Sequence, residues 1–159
     1  MTGSRVHIAR FLVLLLMATT ALLAADYTLG TWQLNLRKSR FLPGPAFKSE
    51  TRTYAEEKDG VKVTIRTVDG KGRQATSVYL STPDGKQHSV SGSGGPADAV
   101  ALKRIDEYTA ETTLIHADRE IAKTTRTVSA DGMTLTITYK GLDPDGNQVN
   151  NTLIFDRVK

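Results

Sequence analysis

Five Asp-Gly dipeptides punctuate the chain: Asp59-Gly60, Asp69-Gly70, Asp84-Gly85, Asp131-Gly132 and Asp145-Gly146. Between them, apolar and polar residues alternate. Asp and Gly both tolerate the positive φ of tight hairpin turns, so the pattern describes antiparallel strands joined by hairpins. The clearest strand sets Met133, Leu135, Ile137 and Tyr139 against Thr134, Thr136 and Thr138. Val61, Val63 and Ile65 alternate with Lys62, Thr64 and Arg66 in the same way. Such half-buried strands suit a closed or sandwiched antiparallel sheet.

The spacing predicts ten strands, at 31–36, 49–57, 61–68, 73–81, 86–91, 99–105, 107–116, 119–129, 133–140 and 148–157. In 107–129 the spaced charges also fit a helix, but the many threonines favour strand. Pro43 and Pro45 make 37–48 a loop, and Gly92, Gly94, Gly95 and Pro96 do so for 92–98. In a meander, successive connections alternate between the two ends of the sheet. One end then receives the short turns 58–60, 82–85, 106 and 130–132. The other receives 37–48, 69–72, 92–98, 117–118 and 141–147. A barrel built this way has one tightly turned end and one loop-rich mouth, and ligands enter such barrels through the mouth.

Ahead of the first strand, Arg5 and Arg10 precede an apolar run from Phe11 to Leu16 and an Ala- and Leu-rich stretch to Ala25. This is the pattern of a secretory signal peptide. Its apolar stretch is short of the roughly 20 residues that cross a bilayer. The expected organisation is a signal peptide at 1–25, forming a signal helix, and one barrel domain at 26–159. The expected location is secreted or periplasmic, with no stable membrane insertion after cleavage. Removing Arg5 and Arg10 lowers the formal charge from +4 to +2, which leaves no global case for nucleic-acid binding. The absence of cysteine excludes a disulfide framework, a lipid-bearing cysteine, a thiolate metal site and a cysteine nucleophile.

Gly30-Thr31-Trp32 at the start of the first strand resembles the G-x-W signature of lipocalins and related fatty-acid-binding proteins. That resemblance implies an up-and-down antiparallel barrel whose base is closed by a late Arg or Lys packed across the tryptophan. Arg157 stands where such a residue is needed, and Trp32 and Arg157 both fall at the tightly turned end. Cation–π stacking would give the pair about 0.5–2 kcal/mol. More of the chain is similar to small exported bacterial lipocalin-like proteins, through GTWQLNLRKSRFLPGPAFKS, ADAVALKRID, VSADGMTLT and NNTLIFDRVK. The chain departs from fatty-acid-binding proteins in having a proline-containing loop where they carry two helices. Their ligand-carboxylate arginines have no assignable counterpart. The resemblance implies a fold more than a ligand.

Motifs for chemistry are sparse. His116, Asp118 and Glu120 alternate, but Ala117-Asp118 reads as a hairpin tip, which scatters them rather than gathering a metal site. Asp143-Pro144-Asp145-Gly146-Asn147 lacks the glycine position and terminal Glu of a calcium loop and reads as a turn. Ser91 to Pro96 has no Gly-Lys-Ser/Thr, and no G-x-S-x-G elbow occurs. Glu56 and Glu57 point to opposite faces in a strand. The expectation is therefore no enzyme, no catalytic residue, no metal and no cofactor.

The loop Arg37 to Lys48 interleaves basic residues with Phe41 and Phe47. Its aromatics are expected to cover the barrel mouth while Lys and Arg face solvent. Beneath them, Leu36, His116, Tyr139, Val149 and Asn151 are expected to line a ligand site, with Trp32 and Arg157 structural. The leading expectation is a monomeric, non-catalytic barrel that binds a small apolar or amphipathic molecule. A filled barrel used as an interaction module of the cell envelope is the alternative. Whether the interior is hollow separates the two.

Overall fold

The computed structural model describes residues 26–159; the expected signal segment lies outside the described residues. Its strands are β1 (Gly30–Leu34), β2 (Ser49–Glu57), β3 (Gly60–Val68), β4 (Gln74–Ser81), β5 (Gln87–Ser89), β6 (Ser91–Ser93), β7 (Ala99–Arg104), β8 (Thr109–His116), β9 (Arg119–Val128), β10 (Thr134–Leu142) and β11 (Gln148–Arg157). They form one sheet in the order β5-β7-β8-β9-β10-β11-β1-β2-β3-β4-β6, every pair antiparallel. The fold is all-β: an up-and-down, nearly closed barrel, with no helix among the described residues.

The strand count is eleven rather than ten because the predicted fifth strand, 86–91, gives way after Ser89 and a further short strand runs into the predicted 92–98 loop. Gln87–Ser89 pairs with β7, whereas Ser91–Ser93 pairs with β4. One segment therefore holds both edges of the sheet and draws it shut. Between the halves, the Val90 amide turns aside to donate to the Asp98 carbonyl at 2.8 Å. Gly92 makes the second contact possible. Its φ is +124°, and a Cβ there would lie 1.8 Å from the Thr76 carbonyl oxygen. Only a residue without a side chain lets the backbones approach so closely.

The 107–129 region is strand, as its threonines predict, with the hairpin tip at Ala117 (φ 48°) and Asp118 (φ 59°). β1 is shorter than predicted. It ends at Leu34, where the chain folds back through Asn35, whose carbonyl accepts from the Ser39 hydroxyl at 2.7 Å. Arg40 then pairs with Thr152, so the loop resumes beside β11 where β1 leaves off.

The core lies toward the tightly turned end. Trp32, Tyr54, Val63, Val128, Leu135 and Phe155 pack there with little or no exposure. The short segment 26–29 seals that end from below. The Trp32 indole N–H donates to the Thr28 carbonyl at 2.7 Å. Arg157 lies opposite Trp32 in the β1–β11 ladder, with its guanidinium carbon 4.1 Å from the indole ring centre. Its nitrogens donate to the carbonyls of Gly132, Leu29 and Tyr27. The stack read from the sequence is thus present, and hydrogen bonds to three carbonyls on two backbone segments fix it.

Candidate functional site: an open cavity in the barrel

Above this packed base the interior is hollow. A cavity of about 640 Å³ opens at the loop-rich end. It is bounded by the 69–73, 94–97 and 143–147 loops and by Gly44, Pro45 and Phe47. The alternation of meander connections explains this geometry: short turns close one end, and long loops stand around the other.

The walls follow from strand parity and register. Tyr54, Arg52 and Glu50 occupy one face of β2, opposite Val63, Ile65 and Thr67 of β3. Next in the sheet, Tyr79, Ser77 and Ala75 of β4 take the same inward positions. Across the barrel stand Leu114 and Thr112 of β8, Thr124 of β9, Tyr139 of β10, and Val149, Asn151 and Leu153 of β11. The wall is mostly apolar but carries the buried pair Glu50 and Arg52, and its rim carries charge.

Four of the seven ligand-site residues expected from the sequence line this cavity: Phe47, Tyr139, Val149 and Asn151. Tyr139 and Asn151 are direct partners in the β10–β11 ladder. The Tyr139 hydroxyl donates to the Leu142 carbonyl. Burial, with Asp143 nearby, pushes the Tyr139 pKa up to about 12. The Asn151 side-chain oxygen accepts from the Leu42 amide at 3.0 Å and so ties the 37–48 loop to the wall. Phe41 is adjacent but does not line the cavity. It packs against the core and meets Phe47 edge to face, ring centres 5.1 Å apart. Arg37, Lys38, Arg40 and Lys48 of the loop are exposed while its two phenylalanines are half-buried, the arrangement expected of a cover.

Two expected residues stand elsewhere. Leu36 falls in the turn after the shortened β1, where it is exposed. His116 is the last residue of β8, beside the hairpin tip, and its side chain is exposed at the rim with Nδ1 3.2 Å from Asp98. A register shift at Leu114/Ile115, where Ile115 pairs with Glu120, leaves Ile121 of β9 unmatched just below it.

A buried charge cluster in the wall was not expected. Glu50 is buried at 3% exposure, and its carboxylate accepts from Arg52 Nε at 2.6 Å and from the Thr67 hydroxyl at 3.0 Å. Burial works most strongly, to lower the Arg52 pKa, but Glu50, Tyr54 and Tyr79 together outweigh it, and the guanidinium is held firmly charged. Tyr79 also lines the cavity, and its pKa is raised, first by burial and then by Tyr54. The sequence did carry a signal for this cluster. In S-E-T-R-T-Y, Glu50 and Arg52 share the parity of Tyr54, and period two places all three on one face.

At the rim, Asp145 accepts from both terminal nitrogens of Arg73, at 2.8 and 3.0 Å, and from Lys71 at 2.9 Å. Arg73 also holds Asp69 at 2.7 Å. These exposed pairs link the β3–β4 loop to the β10–β11 loop. The Asp145 carboxyl is held well below the usual range by its hydrogen bonds from Arg73 and then Lys71. Among the described residues no group of His, Asp or Glu side chains is placed to hold a metal ion. No protein-family model matches the chain, and no curated protein matches it.

Proposed function

We propose that this protein is a lipocalin-like binder that takes a small apolar or amphipathic molecule into its barrel and performs no chemistry on it. The observation that carries this reading is the cavity of about 640 Å³ with one open mouth. It lies within the roughly 300–1,000 Å³ range of ligand sites. A barrel acting only through its outer faces has no use for a hollow interior, and this favours binding over the interaction module. The Trp32–Arg157 closure at the base supports the lipocalin-like comparison. The basic and apolar character of residues 5–25 supports a secreted or periplasmic place of action. A ligand-binding monomer is the simplest state for a barrel with few free edges.

Leu114→Trp tests the reading, because Leu114 lines the cavity and the larger ring narrows it. An environment-sensitive fluorophore should bind the wild type in a one-to-one complex. Leu114→Trp should bind it about tenfold or more weakly while keeping the wild-type far-ultraviolet spectrum. A narrowed variant that changes neither the affinity nor the emission of the bound fluorophore would place it outside the barrel and overturn the proposal.

A further inference from the structure

Two arginines point into the barrel, and only one has a counter-ion there. Arg52 is paired with Glu50 at 2.6 Å. Arg126 shares the inward parity of Val128 and Thr124, and its guanidinium carbon lies 5.2 Å from the Tyr54 ring centre. Among the described residues it has no carboxylate within 4.0 Å, and its Nε is buried without a hydrogen-bond partner. Glu50 is engaged by Arg52 and Thr67, and no ion pair joins it to Arg126 among the described residues. The interior therefore carries one positive charge in excess. A cation withdrawn from water is costly to leave uncompensated.

Arg126 lies behind the cavity lining, against Tyr54, and other donors face the cavity itself. Arg52 uses only Nε on Glu50, and its two terminal nitrogens have no partner among the described residues. Nor does the Tyr79 hydroxyl, although Tyr79 lines the cavity. The charges of Arg52 and Arg126 both reach that hydroxyl and oppose the effects of burial and of Tyr54 on it. Tyr79 nonetheless keeps its proton at neutral pH and is available to donate. Thr124, one inward position from Arg126, lines the wall beside it.

Resting on the ligand-binding reading above, we propose that the charged part of the cavity wall is a seat for an oxyanion. Arg52 and the Tyr79 hydroxyl donate to the head group, and Arg126 supplies the balancing charge. The ligand class is an amphipathic monoanion bound head-inward. Its apolar body lies along Ile65, Leu114, Val149 and Leu153 and ends under Phe47, in keeping with the mostly apolar wall. A cationic amphiphile is refused by the same surplus charge, and a neutral one leaves the donors unanswered.

Calorimetric titration with three ten-carbon probes, decanoate, decanol and decyltrimethylammonium, tests this at pH 7. Decanoate should bind about tenfold or more tightly than decanol, the scale of charge-assisted hydrogen bonds, and the ammonium probe should bind weakest. Arg126→Met keeps the length of the side chain and removes its charge. It should abolish most of the preference for decanoate while leaving decanol affinity within about twofold. Tyr79→Phe removes one donor without changing charge. It should reduce the preference several-fold even if Arg126→Met fails to fold. Equal binding of decanoate and decanol by wild type overturns the oxyanion seat and leaves the binder reading standing. If none of the probes binds, and the fluorophore also fails, both readings fall together.

Discussion

The base and the mouth of this barrel are built from the same kinds of side chain, and they hold in opposite ways. At the base, Arg157 stacks on a fully buried indole and donates to three backbone carbonyls. At the mouth, Arg73 donates to two carboxylates in the open, with half of its side chain exposed. Cation–π and hydrogen-bond energies grow when water is excluded, whereas an exposed ion pair gains little and is screened by salt. The difference assigns the two ends separate tasks. One sets whether the barrel folds, and the other holds a rim that can yield to an entering molecule at small cost.

The comparison is most exposed to substitution at its strongest point. Trp32→Ala should cost about 3–5 kcal/mol, the range for deleting a large buried aromatic side chain. Urea denaturation followed by far-ultraviolet circular dichroism measures it. A loss under about 1 kcal/mol would mean that the base does not carry the fold. Arg157→Met should cost less, about 1.5–3 kcal/mol, because it keeps an apolar cover on the indole and loses the charge-assisted bonds to carbonyls. Arg157→Lys should recover little of this, since one ammonium does not reproduce a planar fork reaching Gly132, Leu29 and Tyr27 together. Full recovery by lysine would make the charge, and not the geometry, the working feature of the base.

The two ends also differed in how plainly they could be read in the sequence. The Gly30-Thr31-Trp32 start, the parity that brought Arg157 to it, and the short turns of that end depend on local pattern, and local pattern was legible. The mouth depends on events that period two does not foresee. β8 ends at His116 and leaves it exposed beside a shifted register, and the early end of β1 at Leu34 released Leu36 into a turn. The split of one segment into β5 and β6 depends on Gly92 meeting Thr76, a contact between paired strands that are not consecutive in the chain. The interior charges were hidden for a different reason. A polar-looking strand such as Ser49–Glu57 reads as solvated until its register against Trp32 and Ile65 fixes which face is inside. Alternation gives the faces of a strand, and only closure of the barrel decides which face meets the cavity.

The weakest end should show its effect only in local motion. The Asp145 pKa is depressed by its hydrogen bonds from Arg73 and Lys71. A carboxylate with a lowered folded-state pKa contributes above its unfolded value and loses that contribution as pH falls through the folded one. The rim contacts should therefore be intact at pH 7 and released well below about pH 4, the ordinary carboxylate region. Amide-exchange protection, corrected for intrinsic rates, should fall in 69–73 and 143–147 on acidification while the Trp32 and Arg157 amides stay protected. Salt near 1 M, where screening acts within about 3 Å, should loosen the same loops at pH 7. Asp145→Asn should do so at any pH and leave the urea midpoint unchanged. Protection lost equally at base and rim would mean that the ends unfold as one unit. The rim pairs would then belong to the stability of the whole barrel, and the division of labour between its ends would be gone.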